Sequence, residues 1–573
     1  MTVHNSEIAA LFDELADLLE IEGANPFRVR AYRNAARTVS GLSASVADLL
    51  KEDRDLTRLP GIGDDLADKM KTIVETGRFP LLDEVRQRVP PALSELMRIE
   101  GLGPKRVKTL YEKLKINSVA DLKRAVANGK IRQLEGFGEK TEAMIKARIA
   151  HLAGEETRVP LITAAEIAAP LCAYLKKIKG VKQLTVAGSF RRCRETVGDL
   201  DILVTASKTA PVIDRFADYD EVTEVISHGT TRSTVRLRSG LQVDLRVVPE
   251  VSYGAALHYF TGSKAHNIAV RTLGVKKNLK INEYGVFKGD KRIASRTEAE
   301  VFKCVGLPYI EPELRENRGE IEAAGKGKLP ALVTPQDIRG DLHCHTQATD
   351  GHHSLEEMAA AARARGYAYL AITDHSRRLT VARGLDEARL RRQLEQIDRL
   401  NETLSGIRIL KSIELDILED GTLDLPDTVL AELDLTVCSV HSKFDLPSAK
   451  QTERLIRAMD NPHFNILAHP TGRLINQRPP YDMDLERLMG AAKERGCFLE
   501  VNSQPVRMDL NDSACKMAKE IGLKVAVCTD AHSVDQLDYL RYGINQARRG
   551  WLEKDDVINT QSLTKLIKLL RRG

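Results

Sequence analysis

The stretch Gly188-Ser189-Phe190-Arg191-Arg192, followed after four residues by Val197-Gly198-Asp199-Leu200-Asp201-Ile202-Leu203-Val204, leaves few folds open to this chain. The apolar run Leu184-Thr185-Val186-Ala187 before it predicts a strand ending in a Gly-Ser turn. Such a turn exposes backbone amides, a hydroxyl and two guanidinium groups, which together suit a polyphosphate. Residues two apart on a strand share a face, so Asp199 and Asp201 stand side by side while Leu200 and Ile202 face the opposite layer. Paired hard oxygen ligands beside a triphosphate cradle point to divalent magnesium.

A chain of 573 residues is too long for one core, and roughly two to five domains are expected. No apolar run reaches the ~18 residues a membrane span needs, and the start lacks a basic segment followed by an apolar signal core. A soluble cytoplasmic protein with no membrane partner is expected. The eight cysteines form no CxxC pair, which argues against a zinc ribbon or disulfide framework. Residues 101–150 hold 12 Lys and Arg against 5 Asp and Glu, an excess that fits a nucleic-acid backbone or merely a solvated helix face. Nine of fourteen histidines lie beyond residue 338, which points to metal chemistry there.

The N-terminal segment reads as helical, with Ile8, Leu11, Leu15 and Leu19 at helical spacing in Ser6 to Glu20. One pattern then recurs three times: Leu59-Pro60-Gly61-Ile62-Gly63, Ile99-Glu100-Gly101-Leu102-Gly103 and Leu134-Glu135-Gly136-Phe137-Gly138. Each precedes an amphipathic helical stretch. Two glycines flanking an apolar residue allow a tight hairpin whose free amides sit at the next helix N-terminus and bind phosphate without reading sequence. One copy is usually only a turn; three in the same frame, two flanking the basic block, favour duplex DNA. The pattern resembles the helix-hairpin-helix motif, and Gly61, Gly63, Gly101, Gly103, Gly136 and Gly138 are the DNA-binding candidates.

Asn25-Pro26-Phe27-Arg28-Val29-Arg30-Ala31-Tyr32-Arg33, with the first hairpin, resembles the N-terminal domain of the polymerase beta family. The resemblance makes Lys69 the candidate lyase nucleophile. An amine nucleophile needs desolvation or a neighbouring cation, whereas Asp65 occupies the family's neighbouring lysine position and favours protonated Lys69. Lys69 is therefore expected to contact phosphate more than to form a Schiff base.

From residue 184 to about 318 the chain resembles family X DNA polymerases. Leu241-Gln242-Val243-Asp244 supplies a third carboxylate, and the resemblance makes Asp199, Asp201 and Asp244 the catalytic metal ligands for Mg2+. It also assigns Gly188, Ser189, Arg192 and Gly198 to the incoming triphosphate. Ala256 to Asn267 matches the family's Tyr-Phe-Thr-Gly-Ser segment, so Tyr259, Phe260 and Gly262 are expected at the sugar and Asn267 at the base edge. Two departures stand out: Cys193 in place of glycine, and Gln242 in place of an arginine beside the third carboxylate.

Beyond Gly319 to Gln336, read as a low-order linker, apolar runs end repeatedly in polar residues: Asp341-Leu342-His343-Cys344-His345, Ile372-Thr373-Asp374-His375, Ile413-Glu414-Leu415-Asp416, Ser439-Val440-His441, Leu467-Ala468-His469, Leu499-Glu500-Val501-Asn502 and Val527-Cys528-Thr529-Asp530-Ala531-His532. Seven strand candidates alternating with helices predict about seven β/α units with chemistry at the strand C-termini. The order resembles the PHP domain. That resemblance implies up to three ions, Mn2+ or Zn2+, held by His343, His345, Asp350, His375, Glu414, His441, His469, Asp530 and His532, with Glu414 preferred over Asp416. His352, His353 and His463 fall outside it and are expected at the surface; Lys443 and Arg473 are candidate phosphate clamps.

The expected fold class is thus multidomain α/β and α+β. It comprises a helical domain over 1–88, a helix-hairpin-helix subdomain over 89–155, a nucleotidyltransferase palm over 156–258 and a nucleotide-selecting subdomain over 259–318. A linker over 319–338 and a distorted (β/α)7 PHP barrel over 339–573 follow. The resemblance implies a family X DNA polymerase that fills short gaps in gapped or nicked duplex DNA from deoxynucleoside triphosphates, associated with the nucleoid. The PHP part implies a 3'-5' exonuclease, with abasic-site cleavage or 3'-end cleaning as further options. The alternative is a nucleotidyltransferase fused to a small-molecule phosphatase, or a scaffold with decayed sites; no feature identifies a protein partner.

Overall fold

The computed structural model describes residues 5–572, apart from 41–45, 52, 60, 98, 100, 101, 135 and 153–157. The chain divides into two compact units, Met1–Thr157 and Arg158–Gly573. Among the described residues no helix is long and apolar enough to cross a membrane.

The first unit is helical. Helices α1 (Asn5–Glu22) and α2 (Pro26–Ser40) enclose Phe12, Leu15, Leu19, Tyr32 and Val39, all buried. Ile8 joins this core and Leu11 packs half-buried against it, as the helical spacing predicts. In the hairpins, the apolar middle residues Ile62, Leu102 and Phe137 are each plugged into the core. Gly61 and Gly136 take positive φ of 76° and 82°, which explains the first glycine of the pattern. The second glycine starts the next helix: Gly63 caps α3 (Asp64–Thr76), Gly103 caps α4 (Pro104–Leu114), and the Gly138 carbonyl accepts from Thr141 and Glu142 in α5 (Glu139–Leu152). Gly101 lies outside the described residues. The three helix starts differ in charge: Asp64 and Asp65 open α3, Glu139 opens α5, and α4 opens on Pro104-Lys105-Arg106.

In the second unit, strands β1 (Val181–Val186), β2 (Asp199–Ala206), β3 (Val222–His228), β4 (Arg232–Leu237) and β5 (Gln242–Val248) form one sheet in the order β1-β2-β5-β4-β3. Only β2 and β5 run parallel, with Asp201 opposite Asp244. Leu200, Ile202 and Val204 are buried on the face opposite the carboxylates. Helices α6 (Tyr253–Thr261) and α7 (Lys264–Lys276) follow, then an antiparallel sheet of β6 (Lys280–Asn282), β7 (Gly285–Lys288) and β8 (Lys291–Ala294), and helix α8 (Glu298–Val305).

Residues 319–338 are not a loose spacer. They contain a short helix, Glu320–Gly325, and bury Glu320, Ile321, Ala324 and Val333. Glu320 lies 2.7 Å from His266 Nδ1 and accepts from the Asn317 and Arg318 amides. Its Gly, Lys and Pro content suggested a linker because the partners that bury it are distant in sequence.

The last part has parallel strands β9 (Gly340–Asp341), β10 (Tyr369–Ile372) and β11 (Arg408–Lys411) in one sheet. A second parallel sheet holds β12 (Glu414–Asp416), β13 (Val437–Ser439), β14 (Ile466–Leu467), β15 (Phe498–Asn502) and β16 (Val525–Cys528). β11 and β12 are two halves of one run, which gives the expected seven positions. The hydrogen-bonded ladder is not a closed barrel, however. Between the two sheets the pairing is reduced to isolated bridges, among them His375 with Glu414 and Cys344 with Ala531. The interruptions fall where His375, Glu414 and His345 turn toward a common centre. Met508 and Tyr542 of this part complete the core of the five-stranded palm sheet.

Candidate active sites

A cleft of about 480 Å³ opens where β2 carries its carboxylates, lined by Gly188, Ser189, Arg192, Asp199, Asp201, Tyr259, Phe260, Gly262 and Asn267. They include the two paired carboxylates and every residue expected at a nucleotide except Gly198, where a Cβ would lie 3.0 Å from Arg158 Nη1. Arg158, Arg194, Lys264 and Arg271 also line the cleft. They carried no spacing signal in the sequence, although Arg271 follows Asn267 by one helical turn.

Gly188 is required on two counts. Its φ is +62°, and a Cβ there would lie 2.4 Å from Asp201 Oδ2. The Ala187 amide donates to the Asp201 carbonyl at 2.7 Å, which ties cradle to strand. Cys193 has φ +54°, the left-handed conformation that explains glycine in the resembling family. Asp244 is held from three sides: Thr234 Oγ1 (2.7 Å) and Arg232 (3.1 Å) donate to Oδ1, and Gln242 Nε2 (2.9 Å) donates to Oδ2. Gln242 thus anchors the third carboxylate by a neutral hydrogen bond. Burial, reinforced by Asp199 and Asp244, pushes the Asp201 carboxyl up to about 7. Bound cations would relieve that repulsion, so the donor set fits divalent metal.

Tyr259 and Phe260 stand edge to face at 5.1 Å, and the Arg246 guanidinium covers Phe260 at 4.4 Å. Asn267 donates to the Tyr259 carbonyl at 2.7 Å, leaving its Oδ1 buried without a hydrogen-bond partner. Arg192 donates through Nε to Glu316 (3.0 Å) and through Nη1 to the Thr261 carbonyl (2.6 Å).

The second centre lies at the C-terminal ends of the parallel strands. Among the described residues, potential ligand atoms converge in three groups: His345, Asp350, His375 and His532; His343, His345 and Asp530; and His375, Glu414 and His441. His345 and His375 are each shared by two groups. His469 Nε2 lies 3.2 Å from Glu414 Oε1, so all nine expected residues meet at one centre. Glu414 is the hub, with His375 Nδ1 at 2.7 Å and His441 Nε2 at 3.4 Å. Asp416 sits behind, 3.4 Å from His441 Nδ1, which separates the two carboxylates that the sequence left as alternatives.

Burial and the neighbouring His532 and His375 push His345 down to about 3. Burial would lower His375 too, but Glu414 and Asp350 outweigh it and hold it near 10. His345 Nδ1 is buried with no hydrogen-bond partner among the described residues, and His343 Nε2 and His375 Nδ1 both face the buried Glu414 Oε2, at 3.5 and 2.7 Å. Such a set suits metal of the nitrogen- and oxygen-binding kind.

Glu500 and Asn502 support this centre without having been singled out as ligands. Glu500 lies 2.8 Å from His343 Nδ1 and accepts from the His469 amide, while Asn502 donates to Asp530 at 3.0 Å. His352 is exposed, and His353 and His463 are half-buried; none belongs to the three groups. The two clamp candidates are employed elsewhere. Lys443 pairs with Glu419 at 3.5 Å, and buried Arg473 bonds Glu195 at 2.6 Å and the Met508 carbonyl. Arg507, which carried no motif, places a cation beside the ligands, 3.8 Å from Asp530 Oδ2. In the first unit, Lys69 Nζ is ion-paired with the Asp65 carboxylate.

Five family models match between residues 3 and 504: a helix-hairpin-helix domain at 3–79, a SAM-like helix-hairpin-helix tandem at 93–150, the DNA polymerase beta palm at 158–240, the DNA polymerase beta thumb at 256–316 and the PHP domain at 341–504. The DNA polymerase/3'-5' exonuclease PolX of Bacillus subtilis (strain 168) is 37% identical over 575 residues, covering 100% of both chains. The chain belongs to the PolX family. DNA polymerase lambda of Rattus norvegicus is 26% identical over 345 residues, 55% of this chain and 57% of that one. A probable phosphatase of Thermoanaerobacter sp. (strain X514) is 31% identical over 232 residues, 38% of this chain and 89% of its own. The polymerase lambda match spans just over half of each chain and the phosphatase match a little over a third of this one, whereas the PolX match spans both chains in full.

Proposed function

We propose that this PolX family member is a DNA-directed DNA polymerase that fills short gaps in gapped or nicked duplex DNA, and that its PHP part removes 3'-terminal nucleotides. The observation that carries the reading is one chain with two separate centres, a carboxylate-lined cleft and a nine-residue His/Asp/Glu cluster, matched end to end by a polymerase/exonuclease. The corresponding division is 1–88 and 89–155 for DNA, 156–258 and 259–318 for nucleotidyl transfer, 319–338 as connection and 339–573 for hydrolysis. Such a protein works in the cytoplasm at the nucleoid.

At the cleft, Asp199, Asp201 and Asp244 hold Mg2+, which supplies positive charge to acidify the primer 3'-hydroxyl and to neutralise the triphosphate. Ser189, Arg192 and the Gly188 backbone grip the phosphates, with Gly198 keeping the turn close. Tyr259, Phe260 and Gly262 pack on the sugar, and Asn267 Oδ1 meets the base edge. Arg158, Arg194, Lys264 and Arg271 add cations to the same cleft. Among the hairpins, Gly103 and the Pro104-Lys105-Arg106 helix start make the strongest phosphate contact, since Asp64 and Asp65 oppose one at Gly61 and Gly63, and Glu139 weakens Gly136 and Gly138.

At the PHP centre the nine ligands hold up to three Mn2+ or Zn2+ ions, which supply charge for phosphodiester hydrolysis. Glu500 and Asp416 fix the His343 and His441 rings, and Arg507 meets the substrate phosphate. The test is single-nucleotide gap filling and 3'-end degradation with Mg2+ and Mn2+, with metal analysis of the purified protein. Failure to retain gapped DNA, combined with hydrolysis of small phosphomonoesters, would favour the small-molecule reading that the phosphatase relatives suggest.

A further inference from the structure

One side chain of the PHP part, Arg549, bonds the backbone of Arg192, a residue that lines the nucleotidyl-transfer cleft. Helices α9 (Asp512–Ile521) and α10 (Leu540–Arg549) lie together, and α10 ends in Arg548-Arg549. Arg549 is 4% exposed. Its Nη1 donates to the Arg192 carbonyl (2.7 Å) and to Glu316 Oε1 (3.1 Å), and its Nη2 to Asp512 Oδ2 (2.6 Å). The same Glu316 oxygen accepts from Arg192 Nε at 3.0 Å, and the same Asp512 oxygen from Arg318 at 2.8 Å. Charges therefore alternate along Arg192, Glu316, Arg549, Asp512 and Arg318.

We propose that Arg549 is a positioning residue for nucleotide binding, fixing Arg192 in place and keeping its charge available to the triphosphate. This rests on the reading of Arg192 as a triphosphate contact. Three arginines and two carboxylates leave the chain of charges with one net positive charge. Without Arg549 that net charge is zero, and Glu316 closes on Arg192 as a neutral pair. A neutral pair attracts a polyanion weakly. The loss of the bond to the Arg192 carbonyl would also free the segment that follows the Gly188 cradle. Arg548 serves as the internal contrast: it staples the same helix to Glu313 at 2.7 Å and to the Val333 carbonyl, without touching Arg192 or Glu316.

The experiment is steady-state incorporation of one nucleotide into gapped DNA by the full chain, with 3'-end degradation and melting temperature measured on each variant. Losing charge-assisted bonds to Arg192 and Glu316, Arg549→Met is expected to raise KM for the nucleotide about tenfold, with kcat and degradation near wild type. Arg549→Lys, which keeps the charge but not the fork, is expected to fall between them and serves if the Met variant folds poorly. Arg548→Met is expected to leave that KM unchanged. Equal effects of the Arg548 and Arg549 variants would reduce Arg549 to a structural staple and overturn the proposal. So would an unchanged KM in Arg549→Met alongside a raised KM in Arg192→Lys. An unchanged KM in Arg192→Lys would instead remove the triphosphate reading itself, and the proposal with it.

Discussion

Gly188→Ala tests how tightly the phosphate cradle is registered against the catalytic carboxylates. An alanine Cβ would stand 2.4 Å from Asp201 Oδ2, and an ordinary contact begins at 3.4 Å. The carboxylate or the cradle must therefore move by about 1 Å, and a shift of that size at reacting groups costs about 100-fold in rate. Converted through the rate constant, this is about 2.7 kcal/mol of lost transition-state stabilisation. The cradle cannot simply retreat, because the Ala187 amide is bonded to the Asp201 carbonyl. The φ of +62° adds roughly 1–2 kcal/mol of strain for any L side chain. Gly240→Ala separates strain from contact, since Gly240 has φ +82° and nothing within 4 Å of a Cβ. Single-turnover nucleotide incorporation is expected to fall about 100-fold in Gly188→Ala and to stay near wild type in Gly240→Ala, with 3'-end degradation intact in both. Equal rates in the two variants would refute the argument.

Glu298 joins α8 to the cradle, accepting from Arg191 (2.7 and 2.9 Å) and Arg315 (2.5 Å). Burial would raise its carboxyl, but the two arginines outweigh burial and hold it at about 2 against an ordinary 4.5, a difference worth about 3 kcal/mol. A depressed carboxyl stabilises above its unfolded value and loses that contribution as pH falls from 4.5 toward 2. The melting-temperature gap between wild type and Glu298→Gln should therefore be full at pH 7 and narrow below pH 4.5; a gap that widens on acidification contradicts the pairing. Stripping metal with chelator should lower the melting temperature, and Mn2+ at a hundred times its Kd should restore about 2.7 kcal/mol, an increment absent from His343→Ala/His345→Ala. Lys69, paired with Asp65, should not be trapped by borohydride on an abasic substrate, and a covalent adduct that Lys69→Ala abolishes would reverse that view.

Both centres were legible because each is written in short local patterns. The alternation through Asp199, Leu200 and Asp201 predicts the buried face and the carboxylate face together, and the partner strand brings Asp244 into register with Asp201. Apolar runs ending in His, Asp or Glu likewise mark where strands stop and ligands begin. Long-range side-chain roles were not legible. Arg473 reads as a clamp until its partner Glu195, 278 residues earlier, is seen to occupy it. Arg507 lacks motif spacing, and only the fold brings it to the ligands; Glu500 and Asn502 lie in the strand pattern, but their partners His343 and Asp530 are distant in sequence. Residues 319–338 have a spacer's composition, yet His266 and the Glu320 carboxylate bury each other there. The ladder interruption around His375 and Glu414 is a tertiary feature as well, set by residues that turn toward a shared centre.

The most direct test of two independent centres on one chain is a pair of double variants assayed on the same gapped DNA for extension and for 3'-end degradation. Asp199→Ala/Asp201→Ala is predicted to lose extension and retain degradation, and His343→Ala/His345→Ala to do the reverse. Loss of both activities in either folded variant, or persistence of extension without the two aspartates, would contradict the account.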